Sequence, residues 1–435
     1  MRADDLATMP ATQALLVEPG TVFEQCFASA PSCAPSRASI LRGQYPHNHG
    51  VLRGSEKHWG FSLFRELGNE TSNIATWLHD AGYRTGLIGK YLNNYPSGAA
   101  PNYIPPGWDE WIGVTNGGYE DFELNEDGTL VAYRMSDHPY QTDVLSAKVA
   151  DFISRTAGSD DPLFLYVAPR APHAPASPAP RHQGKFAVAP VPRPPSFDKP
   201  GVNKPSYVNA EPPLDVKAVA KVDETYRTRN ETLLGLDDLI AALVAALDAA
   251  GILETTYIIL TSDNGYHLGE HRIVAAKGTA YEEAVRVPLV IRGPDVPSGR
   301  TSALASVIDL APTFAGWANA EIPAFVDGRS LSPILHGDPA VWRHALLIQL
   351  YRDHPDIVEG PPAFKALRGD KFVYVEYDDG FRELYDVTVD PYELDNLAGT
   401  ADPDVIQTLS ERLAVLATCA GAECRVIEDA PIAGQ

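Results

Sequence analysis

Basic residues are in deficit in this chain: 35 Lys and Arg against 57 Asp and Glu leave a formal charge of −22 over 435 residues. Such a surface argues against a general nucleic-acid or anionic-membrane partner, although a small basic pocket remains compatible with it. No uninterrupted apolar run approaches the roughly 20 residues a membrane-spanning helix requires. The opening MRADDLATMP has no apolar signal-peptide core. Repeats and low-complexity tracts are absent too, and 44% hydrophobic with 21% charged residues is an ordinary globular composition. The length exceeds what a single simple core reaches, roughly 250–300 residues, so one large domain with a smaller companion is expected.

Cysteine is scarce as well, with four residues, Cys26, Cys33, Cys419 and Cys424. The last two, in TCAGAEC, are close enough for a disulfide, which would imply an oxidising compartment. Two unpaired thiols in a cytoplasmic protein is the other reading, since spacing alone does not set connectivity. Cys33 sits in SCAPSRASILRGQYPHNHG, beside Pro, Ser and Arg.

Alternating helix and strand patterns, by contrast, are abundant. SNIATWLHDAGYRTGLIGKYL predicts an amphipathic helix through His79 and Asp80, a Gly82 cap and a strand over Arg84–Ile88. PLFLYVA, residues 162–168, predicts a strand buried on both faces. Leu233, Leu236, Ile240, Leu243, Val244 and Leu247 recur at helical spacing up to Gly251, and Tyr257–Leu260 is a strand-type run. Residues 169–213 are Pro-rich and predict an extended loop able to wall a site. After about residue 340, ALLIQLY, FKALRGDKFVYVEY and FRELYDV predict hairpin-connected strands, and PDVIQTLSERLAVLAT a helix. The expected division is therefore 1–340, a catalytic α/β domain, and 341–435, a small α+β domain.

Chemistry-bearing residues gather where open α/β sheets place them, at the carboxyl ends of strands. SDNGYHLGEHRIVAAKG puts Asp263, Asn264, His267 and Lys277 after one strand, His173 follows another in RAPHAPASP, and Lys90 ends a third in TGLIGK. Asp263 and Asn264 offer hard oxygens suited to Ca²⁺ or Mg²⁺. Lys and His can hold an anion or move a proton. Each motif alone has a plainer reading: Asp-Asn-Gly as a turn, His173 as a loop residue, Lys90 as a solvated strand end. A thiolate at Cys33 would not ordinarily join hard oxygens around such a cation.

C-A-P-S-R at Cys33–Arg37, continued by ASILRGQYPHNHGV, resembles the sulfatase signature, in which this cysteine is oxidised to formylglycine after translation. Its hydrated aldehyde carries one oxygen for the cation and one for attack, which would resolve the ligand mismatch. GYRTGLIGKYLN, PHAP, LLGLDDLI, TSDNGYHLGEH, KGTAYEEAVRVPLVIRGP and RELYDVTVDPYELDNLAG extend the resemblance along the chain, and the GKYLN and SDNGYH forms are most similar to N-acetylglucosamine-6-sulfatases. The resemblance implies an alkaline-phosphatase-like fold, with a large mixed α/β sheet flanked by helices and a smaller C-terminal antiparallel sheet plus helix. It implies that Cys33 is the nucleophile precursor, Arg37 its stabiliser, and Asp263 and Asn264, with residue 33, the ligands of Ca²⁺ or, second, Mg²⁺. Lys90, His173 and Lys277 would grip sulfate or protonate the leaving alcohol, and His267 would support proton transfer. The sulfated diol would then expel sulfate to regenerate the aldehyde.

One departure stands out. Sulfatases begin with a buried strand ending in T-D-D, and Met1-Arg2-Ala3-Asp4 resembles the segment just after that pair. The first strand is then expected to be missing, leaving a gap in the sheet and two metal ligands short; in the other reading Asp4 and Asp5 are the pair. The implied partners are a small sulfated substrate, a sugar by subfamily, and a formylglycine-generating enzyme. An acidic surface suits small sulfated sugars better than long polyanions. An exported, extracellular or envelope location is expected, with a cytoplasmic one as the alternative. The competing functions are phosphate mono- or diester hydrolysis on the same fold, and a catalytically silent sulfated-glycan-binding protein.

Overall fold

The computed structural model describes residues 1–52, 59–159, 161–337, 342–352 and 361–432. A first sheet has the order Thr129–Tyr133, Phe122–Glu126, Glu110–Gly117, Arg84–Gly89, Leu163–Ala168. Arg84–Gly89 runs parallel to both of its neighbours, and the two outer strands add antiparallel pairs. A second sheet, ordered Gly299–Thr301, Thr21–Phe23, Leu289–Arg292, Ile258–Thr261, is also mixed. The helices Gln141–Thr156 and Val216–Ala249 pack together on one side through a core that includes Leu145, Val149, Phe152, Leu233, Ile240 and Val244. Helices Cys33–Arg42, Ile74–Asp80 and Leu310–Trp317 form a second core through Leu41, Ile74, Trp77, Leu87 and Ala311. These are the alternating apolar faces that an α/β layer requires.

Among the described residues the two mixed sheets do not join. Leu163–Ala168 and Ile258–Thr261 are each an edge strand of their own sheet, and both line one cleft of about 1100 Å³. Ile153 and Leu247 wall it on one side, and Ile40, Phe314 and Trp317 on the other. Among the described residues this cleft separates the two sheets. It also accounts for a difference from the sequence-based expectation: PLFLYVA predicts burial on both faces, yet all residues of Leu163–Ala168 but the last are only partly buried. A strand with an open edge facing a cleft cannot bury its side chains as a central strand does.

Ala345–Leu350, Phe364–Gly369, Phe372–Tyr377 and Arg382–Asp386 form a separate four-stranded antiparallel sheet in sequential order. One face packs on helix Pro403–Leu416 through Leu347, Leu367, Tyr374, Leu409 and Leu413. The other packs on Phe27, Tyr281, Ala284 and Val285. Burial on both faces explains why Ala345–Leu350 is buried at every residue. The expected C-terminal antiparallel sheet and helix are therefore present, followed by a second helix, Ala422–Asp429, that the sequence pattern does not anticipate. The proposed boundary between 340 and 341 lies outside the described residues. A Cys419–Cys424 disulfide fastens the turn between the two helices, while Cys26 and Cys33 are free and buried.

Candidate active site

At the carboxyl ends of the strands flanking the cleft, backbone geometry sets the side chains. Gly89 closes its strand at φ 121°, where a Cβ would meet the Ala168 carbonyl at 2.2 Å, so the chain passes closely enough for the Lys90 N–H to bond that carbonyl at 2.7 Å. After Ile258–Thr261 the chain turns tightly at Gly265, whose absent Cβ would lie 2.1 Å from the Glu283 carbonyl. Only glycine permits that approach, which presents Asp263 and Asn264 side by side.

Cys33 is the first residue of helix Cys33–Arg42, preceded by Ser32 in extended conformation with no side-chain cap. The free N–H groups and positive end of the helix are therefore directed at the site, where an anion is favoured. Its buried Sγ is 2.6 Å from Lys277 Nζ and 3.4 Å from Asn264 Oδ1. Lys277 Nζ also donates to Asn264 Oδ1 at 3.3 Å. Arg37, one turn along the helix, donates from Nε to Asp263 Oδ2 at 2.8 Å and from Nη1 to the Lys90 carbonyl at 2.9 Å. Burial alone would raise the Asp263 pKa, but Arg37, Lys277 and Lys90 together hold it well below the usual carboxylate range. Burial, reinforced by Arg37, pushes the Lys90 ammonium down.

His173 lies at the solvent-exposed rim of the cleft, its Nδ1 2.6 Å from the Ala174 carbonyl. Desolvation, then Lys277 and Lys90, bring its pKa down to about 4. His267 is placed differently from the other expected site residues. It does not line the cleft; it is buried with Nε2 2.7 Å from Thr279 Oγ1, and burial lowers its pKa to about 4. Its contacts brace the loop that carries Lys277. Asp4 and Asp5 also point elsewhere: Asp4 meets Arg286 at 3.3 Å, and Asp5 accepts from the Arg2 N–H at 2.8 Å and faces Arg229 at 3.8 Å.

Six of the expected residues, Cys33, Arg37, Lys90, Asp263, Asn264 and Lys277, thus converge, with His173 at the rim. Two further cations that the sequence analysis does not single out, Arg170 in RAPHAPASP and Arg229, line the cleft. Buried Arg229 donates to the Pro172 carbonyl at 3.0 Å, and Arg170 donates to the Gly117 carbonyl at 3.1 Å. The arginines of TYRTRNE lie on a helix whose clearest signal is its apolar periodicity, and only packing shows which one faces inward.

A hard-cation site fits this donor set in kind. Asp263 and Asn264 supply two oxygens beside residue 33, and the surplus of positive charge from Arg37, Lys90 and Lys277 suits an anionic ligand.

A cationic pocket at the strand ends, with a buried helix-terminal cysteine and a pair of hard oxygen donors, suits an anionic ligand. Comparison with known proteins makes this specific. Residues 2–320 match the Sulfatase family model and residues 269–418 the model of the N-sulphoglucosamine sulphohydrolase C-terminal region. The chain is 32% identical over 451 aligned residues to human N-acetylglucosamine-6-sulfatase, covering 95% of this chain and 82% of that protein. It is 28% identical to the N-acetylglucosamine-6-O-sulfatase of Bacteroides thetaiotaomicron, over 88% of this chain and 77% of that one. Among solved structures, a protein in complex with its substrate D-glucosamine-2-N,6-O-disulfate superposes with a TM-score of 0.77 at 24% identity, covering 93% and 92% of the two chains. The phosphonate monoester hydrolase of Silicibacter pomeroyi superposes with a TM-score of 0.71 at 26% identity, covering 94% and 91%. The chain belongs to the sulfatase family. It is a sulfuric ester hydrolase.

Proposed function

We propose that the protein hydrolyses the 6-sulfate ester of an N-acetylglucosamine-type sugar. The observation that carries the reading is Cys33 at a helix N-terminus, 2.6 Å from Lys277 and beside Asn264, in a chain similar over most of its length to N-acetylglucosamine-6-sulfatases. Formylglycine made from Cys33 would supply a hydroxyl nucleophile that a thiol cannot. Asp263, Asn264 and residue 33 would hold Ca²⁺, with Mg²⁺ second, which would neutralise charge on the sulfuryl oxygens.

The protein's own groups carry the rest. Arg37 keeps Asp263 ionised and oriented through its Nε bond. Lys277 and Lys90 place positive charge where negative charge grows in the transition state. His173, neutral at pH 7 in the free protein, gains proton affinity when an anion enters between it and the lysines, and so can deliver a proton to the departing sugar oxygen. We assign this chemistry to residues 1–340 and a supporting role to residues 341–435. The disulfide favours an exported location, as does similarity to extracellular sulfatases.

Peptide mass spectrometry across Cys33, after expression with a formylglycine-generating enzyme, tests the reading together with sulfate release from N-acetylglucosamine-6-sulfate. Conversion shows as a loss of about 18 Da, the difference between a thiol side chain and an aldehyde. An unconverted thiol and no sulfate release would overturn it. Likeness to a phosphonate monoester hydrolase gives a second reading, phosphate or phosphonate ester hydrolysis. Faster turnover of an aryl phosphonate than of an aryl sulfate would favour it, and binding of sulfated sugar without turnover by converted protein would mark a silent binder.

A further inference from the structure

Behind the catalytic loop, and absent from the lining of the cleft, lies a second cluster of ligating groups. His271, Glu283 and Glu393 each direct one donor atom into a common space, and these atoms lie within 4.8 Å of one another. His271 is wholly buried, and its ring nitrogens make no well-formed hydrogen bond among the described residues, with only the Pro200 backbone acting on them weakly. Glu283 Oε2 and Glu393 Oε1 are likewise buried and unpartnered. These particular atoms, an imidazole's two nitrogens and one oxygen of each carboxylate, give up the hydration they have in water with little to replace it.

The surrounding cations are already engaged. Arg2 pairs with Glu270 at 2.8 Å, and Arg368 and Arg286 pair with Glu282 at 2.7 and 3.1 Å. Lys204 donates to Tyr385 Oη at 2.6 Å and to the Glu393 carbonyl, and faces Glu383 at 3.6 Å. Glu283 has only His271, at 4.0 Å, as an ion-pair partner among the described residues, and a long 3.4 Å hydrogen bond from Ser196. Glu393 accepts one bond, from the Glu282 N–H at 2.9 Å. The two carboxylates are thereby left facing each other with no side-chain cation among the described residues hydrogen-bonded to them, the charges of Arg2 and Lys204 acting on them only from further off.

We propose that His271, Glu283 and Glu393 bind a divalent cation of the zinc class, at a site separate from the catalytic one. One imidazole nitrogen with two carboxylate oxygens suits Zn²⁺ or a similar borderline ion better than Ca²⁺, which takes oxygen alone. Bonds of about 2.0–2.1 Å in a tetrahedral site place donors about 3.3 Å apart, so binding would draw these three side chains slightly inward. The ion would tie the loop carrying His267 and Lys277 to residue 393 of the C-terminal region, a cross-link between two parts of the molecule rather than a participant in ester hydrolysis.

The test uses the full chain with Asp263→Asn, which removes the catalytic carboxylate's charge and so weakens cation binding at the first site relative to the second. Stripped with a chelator and titrated with Zn²⁺ alone, it is expected to hold one equivalent by elemental analysis and to gain several degrees in Tm. With Co²⁺ alone it should show the intense visible bands of a four-coordinate ion. Adding Glu393→Gln, or separately His271→Asn, should weaken binding by about 100-fold or more and abolish the Tm gain. Circular dichroism identifies any variant that has not folded. Failure of the Asp263→Asn protein to take up either ion, or full uptake after both further substitutions, would overturn the assignment whether or not the protein is an active sulfatase.

Discussion

The C-terminal sheet and the pair of central sheets are built from similarly apolar strands, yet they end in opposite conditions. In the first, Ala345–Leu350 is buried throughout and its inner strands are paired on both sides. In the second, Leu163–Ala168 and Ile258–Thr261 face each other across an open cleft as unpaired edges. The difference shows how one chain separates stability from chemistry. A closed apolar layer resists water and charge, whereas an open strand end can gather lysines, an arginine and an aspartate that compensate one another and await an anion.

The strongest way to test that contrast is at the nucleophile. Cys33→Ala should lower aryl sulfate turnover by at least about 10⁴-fold while shifting Tm only slightly. Steady-state kinetics beside calorimetry checks this; a residual rate within about tenfold of the parent would remove Cys33 from its role. Lys277→Ala should cost about 10²–10³-fold in kcat, because it removes charge that the transition state needs. A rise in KM with kcat unchanged would instead make Lys277 a substrate-binding group only.

Stability should show the reverse pattern. Leu347→Ala, in the closed sheet with no exposed surface, is expected to cost about 2–5 kcal/mol. Leu165→Ala, on the cleft strand where it is only partly buried, should cost less than about 1 kcal/mol. Urea unfolding of both distinguishes them, and equal losses would mean the cleft strand is as closed as the C-terminal sheet.

A pH test sharpens the same comparison. His267 is held neutral by burial, with its pKa lowered from 6.5 to about 4 in the folded chain. The unfolded chain therefore takes up this proton first, so stability is complete above about pH 6.5 and declines as pH falls toward 4. His267→Gln should flatten the decline between pH 7 and 5 by about 1–2 kcal/mol, measured as urea midpoints. An unchanged slope would show that His267 is not buried neutral. A modest effect is also expected from Cys419→Ala with Cys424→Ala, about 2 kcal/mol or less by urea unfolding given a loop of only five residues' separation.

Local signals account for the elements that are readable from the chain. Helix Ile74–Asp80, strands Arg84–Gly89 and Ile258–Thr261 and the C-terminal hairpins are legible because periodicity and turn residues are short-range properties. Helix Val216–Ala249 extends well ahead of the apolar stretch that betrays it, since its first turns carry little of that pattern. Strands Glu110–Gly117, Phe122–Glu126 and Thr129–Tyr133 are not legible in this way, their periodicity being interrupted by polar residues that pack only in context, whereas helix Gln141–Thr156 does carry a local signal, with Leu145, Val149, Phe152 and Ile153 at helical spacing.

By itself the sequence determined that charge is scarce on the positive side, that strands end in Lys90, His173 and Asp263-Asn264, and that Cys33 begins a sulfatase-like motif. Those properties are carried by neighbouring residues and their spacing. Tertiary structure alone decided that Cys33 meets Lys277 across 244 positions, that His267 turns away to Thr279, and that His271, Glu283 and Glu393 share one buried space. Contacts between residues far apart in the chain depend on how sheets and helices pack, and no local pattern encodes the outcome of that packing.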